Sequence, residues 1–172
     1  MAKKPLKVNI IYTDQTLKNK YGGLKYTRKG DACFDLRACF GLELAGAHKS
    51  VDHQGGETPV QRTIWPGTCC QVSAGFKIEV PPGYMACAYP RGGMGTKGVV
   101  LGNLTGIIDV GYQGDVFLNL WNRTGEPITI DAYDRVAQMA LVPVAEAEFN
   151  EVDAFSAITE RGDGCLNSSG HK

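Results

Sequence analysis

The stretch "GIIDVGYQGD" at residues 106–115 ends an apolar run in a carboxylate, Asp109, and places Tyr112 three positions later. Two readings are open. Asp and Gly are ordinary turn residues, so the segment can be a hairpin turn. The same residues also suit a carboxylate that activates water beside a ring that reads a sugar. A second stretch, "YPRGGMGTKG" at 89–98, leaves a strand and enters a Gly-rich turn headed by Arg91. Glycines such as Gly92 and Gly93 let successive backbone N–H groups converge on an oxyanion, and the guanidinium adds a charged fork. "DRVAQMAL" at 134–141 places Arg135 and Gln138 on an otherwise apolar strand. Three apart, they point to opposite faces of an ideal strand, so one of the two is expected to be structural. "DACFDLRA" at 31–38 sets Asp31 and Asp35 around a short apolar stretch, and Arg161 sits among glycines near the C-terminus. No Ser-His-Asp or Cys-His pair is readable, and the three histidines fall in expected loops or the tail. Carboxylates, Gly-rich anion loops and scattered arginines point to phosphate chemistry with a hard cation.

The elements that must position these groups are strands. "LKVNIIY" (6–12) alternates, "CCQVSAGFKIEV" (69–80) runs to a Pro-Pro-Gly turn, and "YMACAYP" (84–90) follows. "VFLNLWN" (116–122) sets Val116, Leu118 and Leu120 against Phe117, Asn119 and Trp121, and "PITID" (127–131) and "RVAQMALVPV" (135–144) complete the set. Short strands separated by Gly, Pro and Asp predict an all-β sandwich or barrel. A short helix is expected after Gly93. Residues 44–63 are polar and Gly-containing and read as a loop or hairpin excursion; His48 and His53 lie in it. Residues 160–172 are Gly/Ser-rich, cannot order themselves alone, and read either as a frayed end or as a segment suited to wrapping an anion.

With 172 residues, one domain is expected. Lys plus Arg and Asp plus Glu are 18 each, which argues against nucleic-acid or membrane binding through bulk charge. No apolar run approaches a membrane span, and no apolar core follows the basic start, so a cytoplasmic protein is expected. Cysteines stand at 33, 39, 69, 70, 87 and 165 without a C-x-x-C pair, and read as reduced, mostly buried thiols rather than a zinc site.

The motifs together resemble the trimeric dUTPase family. Five family motifs occur in order: "DACFDLRA", "PRGGMGTKG", "GNLTGIIDVGYQGD", "DRVAQMAL" and "RGDGCLNSSG". The stretch from Gly98 to Asn150, with "VVLGNL", "LWNR" and "VPVAEAEFN", is most like the enterobacterial branch. The resemblance implies a distorted jelly-roll (β-clip) subunit over residues 1–158, a flexible C-terminal arm over 159–172, and a homotrimer with shared active sites. It implies hydrolysis of dUTP to dUMP and pyrophosphate with Mg²⁺, in a bacterial cytoplasm or, for a phage-encoded protein, that of the host. Asp109 would then be the catalytic carboxylate that prepares the attacking water. Asn103, Gly106 and the hairpin backbone would hold uracil, and Tyr112 would occupy the space of a 2′-OH. Arg91, Gly92, Gly93, Gln138 and Arg161 would contact phosphates, Leu166 would cover the base, and Asp35 would help hold hydrated Mg²⁺ through water. For Arg135 a structural ion pair and a phosphate contact weigh equally.

The chain departs from the family pattern at several points. Gly92 replaces a serine, Leu166 replaces an aromatic base cap, and Cys165 and Asn167 replace glycines. Gly111 stands where an acidic residue usually precedes the tyrosine, and the segment near 46–63 is longer than in typical relatives. Three alternatives follow. One is a nucleotide-sensing regulator with weak or no hydrolysis, whose 44–63 insertion meets a protein partner. Another is a dCTP deaminase, although its glutamate base ten residues after the aspartate is Asn119 here. A third is preference for a modified deoxyuridine triphosphate.

Overall fold

Between the Gly, Pro and Asp punctuation, the apolar runs pair into antiparallel ladders. The structure is a computed structural model and describes residues 5–40 and 61–163. In chain order the elements are β1 (Asn9–Tyr12), α1 (Gln15–Asn19), β2 (Phe34–Arg37), β3 (Gln61–Ile64), β4 (Cys69–Glu79) and β5 (Tyr84–Pro90). There follow α2 (Gly92–Thr96), β6 (Val99–Leu101), β7 (Gly106–Ile108), β8 (Asp115–Asn122), β9 (Ile128–Asp131) and β10 (Arg135–Pro143). One sheet runs β1-β4-β8-β6, a second runs β2-β10-β5-β7, and β3 pairs with β9 as a ribbon. Neighbours in the sheets are mostly far apart in sequence, the crossing connectivity of a jelly-roll-like fold.

The core lies between the two four-stranded sheets. Val72, Phe76 and Ile78 of β4 and Val116, Leu118 and Leu120 of β8 come from one side. Phe34 and Leu36 of β2, Ala86 and Ala88 of β5, and Val136, Ala137 and Met139 of β10 come from the other. Strand β8 alternates strictly between buried and half-buried, as its sequence pattern predicts. Each large aliphatic or aromatic side chain fully buried here contributes roughly 1.5–3 kcal/mol.

Several elements differ from the sequence expectation. Helix α1 was not legible: it has five residues, with Asp14 Oδ1 accepting from the Leu17 N–H at 2.9 Å as its cap. Strand β3 begins at Gln61, inside the segment to Thr63 that reads as a loop or a hairpin excursion. Buried Ile64 and the ladder from Gln61↔Asp131 to Ile64↔Ile128 draw those residues into the fold. The rest of that excursion, residues 44–60 with His48 and His53, lies outside the described residues. Of the five described cysteines, all free, Cys39 and Cys87 are buried, Cys33 and Cys70 are half-buried, and Cys69 is exposed, so fewer are buried than expected. Burial and the nearby Asp14 carboxylate push the Cys39 thiol up to about 12. Beyond Pro143 the chain runs on to residue 163 with no further strand or helix. Phe149, Phe155 and Ile158 of that segment are almost wholly exposed.

Candidate active site

Three adjacent strands of the second sheet build the first cleft. Asp35 on β2 lies directly across from Gln138 on β10, and Gln138 lies across from Tyr89 on β5. Strand β5 ends at Pro90, which delivers Arg91 and the first turn of α2 to the same edge. Asp35, Arg91, Gly92, Gly93, Arg135 and Gln138 therefore line one cleft of about 550 Å³. Arg91 Nε donates to Asp35 Oδ1 at 2.7 Å, and Arg135 donates to Asp35 Oδ2 at 3.2 Å. A further Arg91 N–H donates to the Arg135 carbonyl at 3.1 Å, and Gln138 Nε2 donates to the Pro90 carbonyl at 2.9 Å. The two guanidinium groups are thus held in place around one carboxylate, while the opening turn of α2 leaves its amides without intrahelical partners. Such a cleft suits a polyanion.

The expectation that Arg135 and Gln138 face opposite ways does not hold. A β-bulge shifts the register between Arg135 and Ala137, so two consecutive residues, Val136 and Ala137, face the core. The extra residue brings Arg135 round to the Gln138 side, a standard effect of a bulge. Arg135 makes the ion pair and also lines the cleft, so its two readings meet in one place.

The second cleft, of about 250 Å³, lies in the β6–β8 region and is lined by Asn103, Gly106, Tyr112 and Asp115 among others. Asp109 is exposed at the end of β7, and the Tyr112 N–H donates to the Asp109 carbonyl at 3.3 Å. Gly111 carries φ +88° at the third position of that turn. The turn part of the hairpin-turn reading of "DVGY" holds, but β7 and β8, which it joins, pair in different sheets and not with each other, and the turn leaves Asp109 exposed. Tyr112 folds back so that its hydroxyl donates to the Asp115 carbonyl at 2.9 Å. The ring passes over Gly114, where any Cβ would collide with the Tyr112 hydroxyl oxygen. Gly106 is not constrained in this way: a Cβ there would stand 3.4 Å from Ala88 Cβ and 3.5 Å from Asn103 Nδ2, ordinary contact distances.

Two features of the site escaped the sequence reading. Leu104 holds φ +60° in the β6–β7 turn and is exposed, a strained placement for leucine and typical of functional loops. Thr27, Arg28 and Cys33 join Asp31, already marked in the first motif, in the arginine-lined cleft, and burial pushes the Cys33 thiol up. Arg161 lies in a turn closed by the Gly162 N–H donating to the Thr159 carbonyl at 3.0 Å. Leu166 lies outside the described residues.

The cleft fits a hydrated hard cation. Mg²⁺ needs one or two carboxylates and otherwise keeps water and phosphate oxygens. Asp35 and Asp31 line the cleft, and among the described residues no set of three or more His, Cys, Asp or Glu side chains converges to replace that water.

A jelly-roll-like β fold with an arginine-lined cleft and a separate Gly-containing cleft suits a protein that grips phosphorylated small molecules. The family model described as dUTPase matches residues 57–170. A Salmonella typhimurium protein named deoxyuridine 5'-triphosphate nucleotidohydrolase is 38% identical over 170 residues, covering 96% of this chain and 99% of the relative. Its Salmonella arizonae counterpart, of the same name, is also 38% identical over 170 residues, with 96% and 98% covered. The chain belongs to the dUTPase family. Among solved structures, a Staphylococcus bacteriophage 80alpha dUTPase with dUpNHpp matches with TM-score 0.73 at 20% identity, over 95% of this chain and 98% of that one. A mutant dUTPase from phage phi11 of S. aureus, described as revealing the coordination of a structural Mg(II) ion, matches with TM-score 0.66 at 18% identity, over 88% and 100%.

Proposed function

We propose that this chain hydrolyses dUTP to dUMP and pyrophosphate. The observation that carries the reading is the convergence of Asp35, Arg91 and Gln138, from three separate motifs, on one cleft in a dUTPase-family chain. Water attacks the α-phosphorus, the bond to the bridging oxygen of the β-phosphate breaks, and pyrophosphate departs. Asp109 accepts the proton of that water. The hairpin around Asn103 and Gly106 holds uracil through its N3–H and flanking carbonyls, and cytosine, with an acceptor at N3, is rejected. Tyr112, pinned through Asp115, fills the space of a 2′-OH. Arg91, Gly92, Gly93 and Gln138 hold phosphate oxygens. Mg²⁺, when bound with Asp35 as a carboxylate partner through water, neutralises the triphosphate and polarises the α-phosphate.

The complete site is formed by a homotrimer. The two clefts have no lining residue in common, which supports a nucleotide held between the arginine cleft of one subunit and the hairpin of another. The bare Phe149, Phe155 and Ile158 support a strap that leaves its own subunit, carrying Arg161 and Leu166 over a shared site. The β domain over residues 1–158 and the arm over 159–172 divide the chain functionally, and the segment after Pro143, without strand or helix up to residue 163, supports that division. Among the described residues no helix is long and apolar enough to cross a membrane. The test is incubation with dUTP, dCTP, dTTP and UTP plus Mg²⁺. Pyrophosphate and dUMP from dUTP alone are expected. Ammonia from dCTP, or tight dUTP binding without turnover, would replace this reading with deamination or nucleotide sensing.

A further inference from the structure

The arginine-lined cleft holds a cation that none of the motif residues accounts for. Arg28 lines it together with Arg91 and Gln138. Its backbone is fixed by a tight turn: the Arg28 N–H donates to Asp31 Oδ2 at 2.8 Å, and the Asp31 N–H returns to the Arg28 carbonyl at 3.3 Å. Thr27, the preceding residue, reaches Asp35 Oδ2 at 3.4 Å, which ties the loop to the cleft floor. Arg91 and Arg135 are both committed to Asp35. The Arg28 guanidinium is exposed and pairs with no described carboxylate. The loop that carries it is cationic throughout: Lys18, Lys20, Lys25, Arg28 and Lys29 fall between residues 17 and 30 with no Asp or Glu among them. Of these five cations only Arg28 lines the cleft.

We infer that Arg28 is a further substrate-binding residue, one that grips the two phosphates that leave as pyrophosphate. The inference rests on the reading proposed above. There the α-phosphate must sit beside the Asp109 that prepares its water, on the hairpin side. The arginine cleft is then left for the β- and γ-phosphates. A guanidinium presents a planar fork to phosphate oxygens, and one with no carboxylate partner gives up no ion pair to bind them. The turn closed by Asp31 fixes the backbone from which the Arg28 side chain lines the cleft.

Steady-state hydrolysis of dUTP with pyrophosphate and dUMP as inhibitors tests this on the full-length protein. Arg28→Ala is expected to weaken pyrophosphate inhibition and raise KM for dUTP by roughly 5- to 20-fold, the range of one charged hydrogen-bonded contact at a partly exposed site. Inhibition by dUMP stays unchanged, because the product retains only the α-phosphate. Arg28→Lys restores part of the loss, since ammonium supplies charge without the fork. Lys29→Ala removes the same charge from the neighbouring exposed position, outside the cleft lining, and is expected to leave pyrophosphate inhibition at the wild-type value. Three results would overturn the assignment: unchanged pyrophosphate inhibition in Arg28→Ala, an equal loss in Lys29→Ala, or an equal loss for dUMP. A wild-type chain that released no pyrophosphate from dUTP would instead defeat the functional reading itself.

Discussion

Asp109 is a side chain whose position a turn decides. The Asp109–Tyr112 turn, with Gly111 at φ +88°, exposes the carboxylate at the end of β7 and folds Tyr112 back toward the hairpin cleft. Asp109→Asn keeps the shape and loses the proton acceptor. It is expected to lower kcat by roughly 10²–10⁴-fold, the usual contribution of a positioned base, with nucleotide affinity nearly unchanged. Single-turnover hydrolysis alongside equilibrium binding measures both, and a near-wild-type kcat removes Asp109 from the role of base. Gly92 is the converse case. A Cβ there meets nothing within 4 Å, so space is no reason for the missing hydroxyl. Gly92→Ser therefore adds a donor to the arginine cleft at no steric cost, and kcat/KM for dUTP should rise about tenfold at most, within the range of one hydrogen bond to a charged group. An unchanged or lower value would mean that the backbone amide at this position suffices.

At the scale of elements, bulges do the positioning. The bulge at Arg135/Ala137 on β10 turns two groups expected on opposite faces toward one cleft. Strand β4 carries another irregularity between Ser73 and Lys77, centred on Gly75 with φ +78°. A Cβ at Gly75 would lie 2.7 Å from Cys39 Sγ and 3.0 Å from Asp14 Cβ, so the strand can pass there only with glycine. Gly75→Ala is expected to destabilise the protein by about 2–4 kcal/mol, combining left-handed backbone strain with overpacking. A urea unfolding midpoint indistinguishable from wild type would show that β4 can relax around the methyl. Asn122 plays a different structural part. It is fully buried at the end of β8, and its amide donates to the Ile64 and Glu126 carbonyls at 2.9 and 2.7 Å. Its Oδ1 accepts from the Thr124 N–H and hydroxyl at 2.9 and 2.8 Å. In "LWNR" the asparagine therefore serves the fold, tying the β3 end to the β8–β9 turn.

The described residues present two clefts with no lining residue in common and an exposed segment after Pro143. From these we expect a homotrimer in solution, and light scattering that gave a monomer across micromolar concentrations would contradict the shared site. Deleting residues 160–172 should nearly abolish dUTP hydrolysis and leave the trimer intact. Leu166→Phe in the full chain should raise kcat/KM by about 2- to 12-fold, because an aromatic cap gains roughly 0.5–1.5 kcal/mol over a ring face beyond area burial. If the deletion leaves kcat unchanged, the tail is a frayed end. If the deletion matters and Leu166→Phe does not, the arm works through its phosphate contacts alone.

The sequence by itself determined the strands that carry enough residues to show a period. Strand β5 falls on residues 84–90 as read, and β8, β9 and β10 begin or end within a residue of their runs, because alternation over four or more positions separates core from surface. It also determined the family, since five motifs in fixed order carry chemistry that a fold alone does not. Elements of three to five residues, such as α1, β2, β6 and β7, stayed hidden; they are too short to display periodicity and exist through contacts with distant strands. Only the tertiary structure decided which charged groups meet. Asp35 and Arg135 are 100 residues apart and join because β2 and β10 are neighbours in a sheet whose order no local pattern encodes. The facing of Arg135 was likewise beyond local reading, because one inserted residue in a ladder reverses the alternation on which such a reading depends.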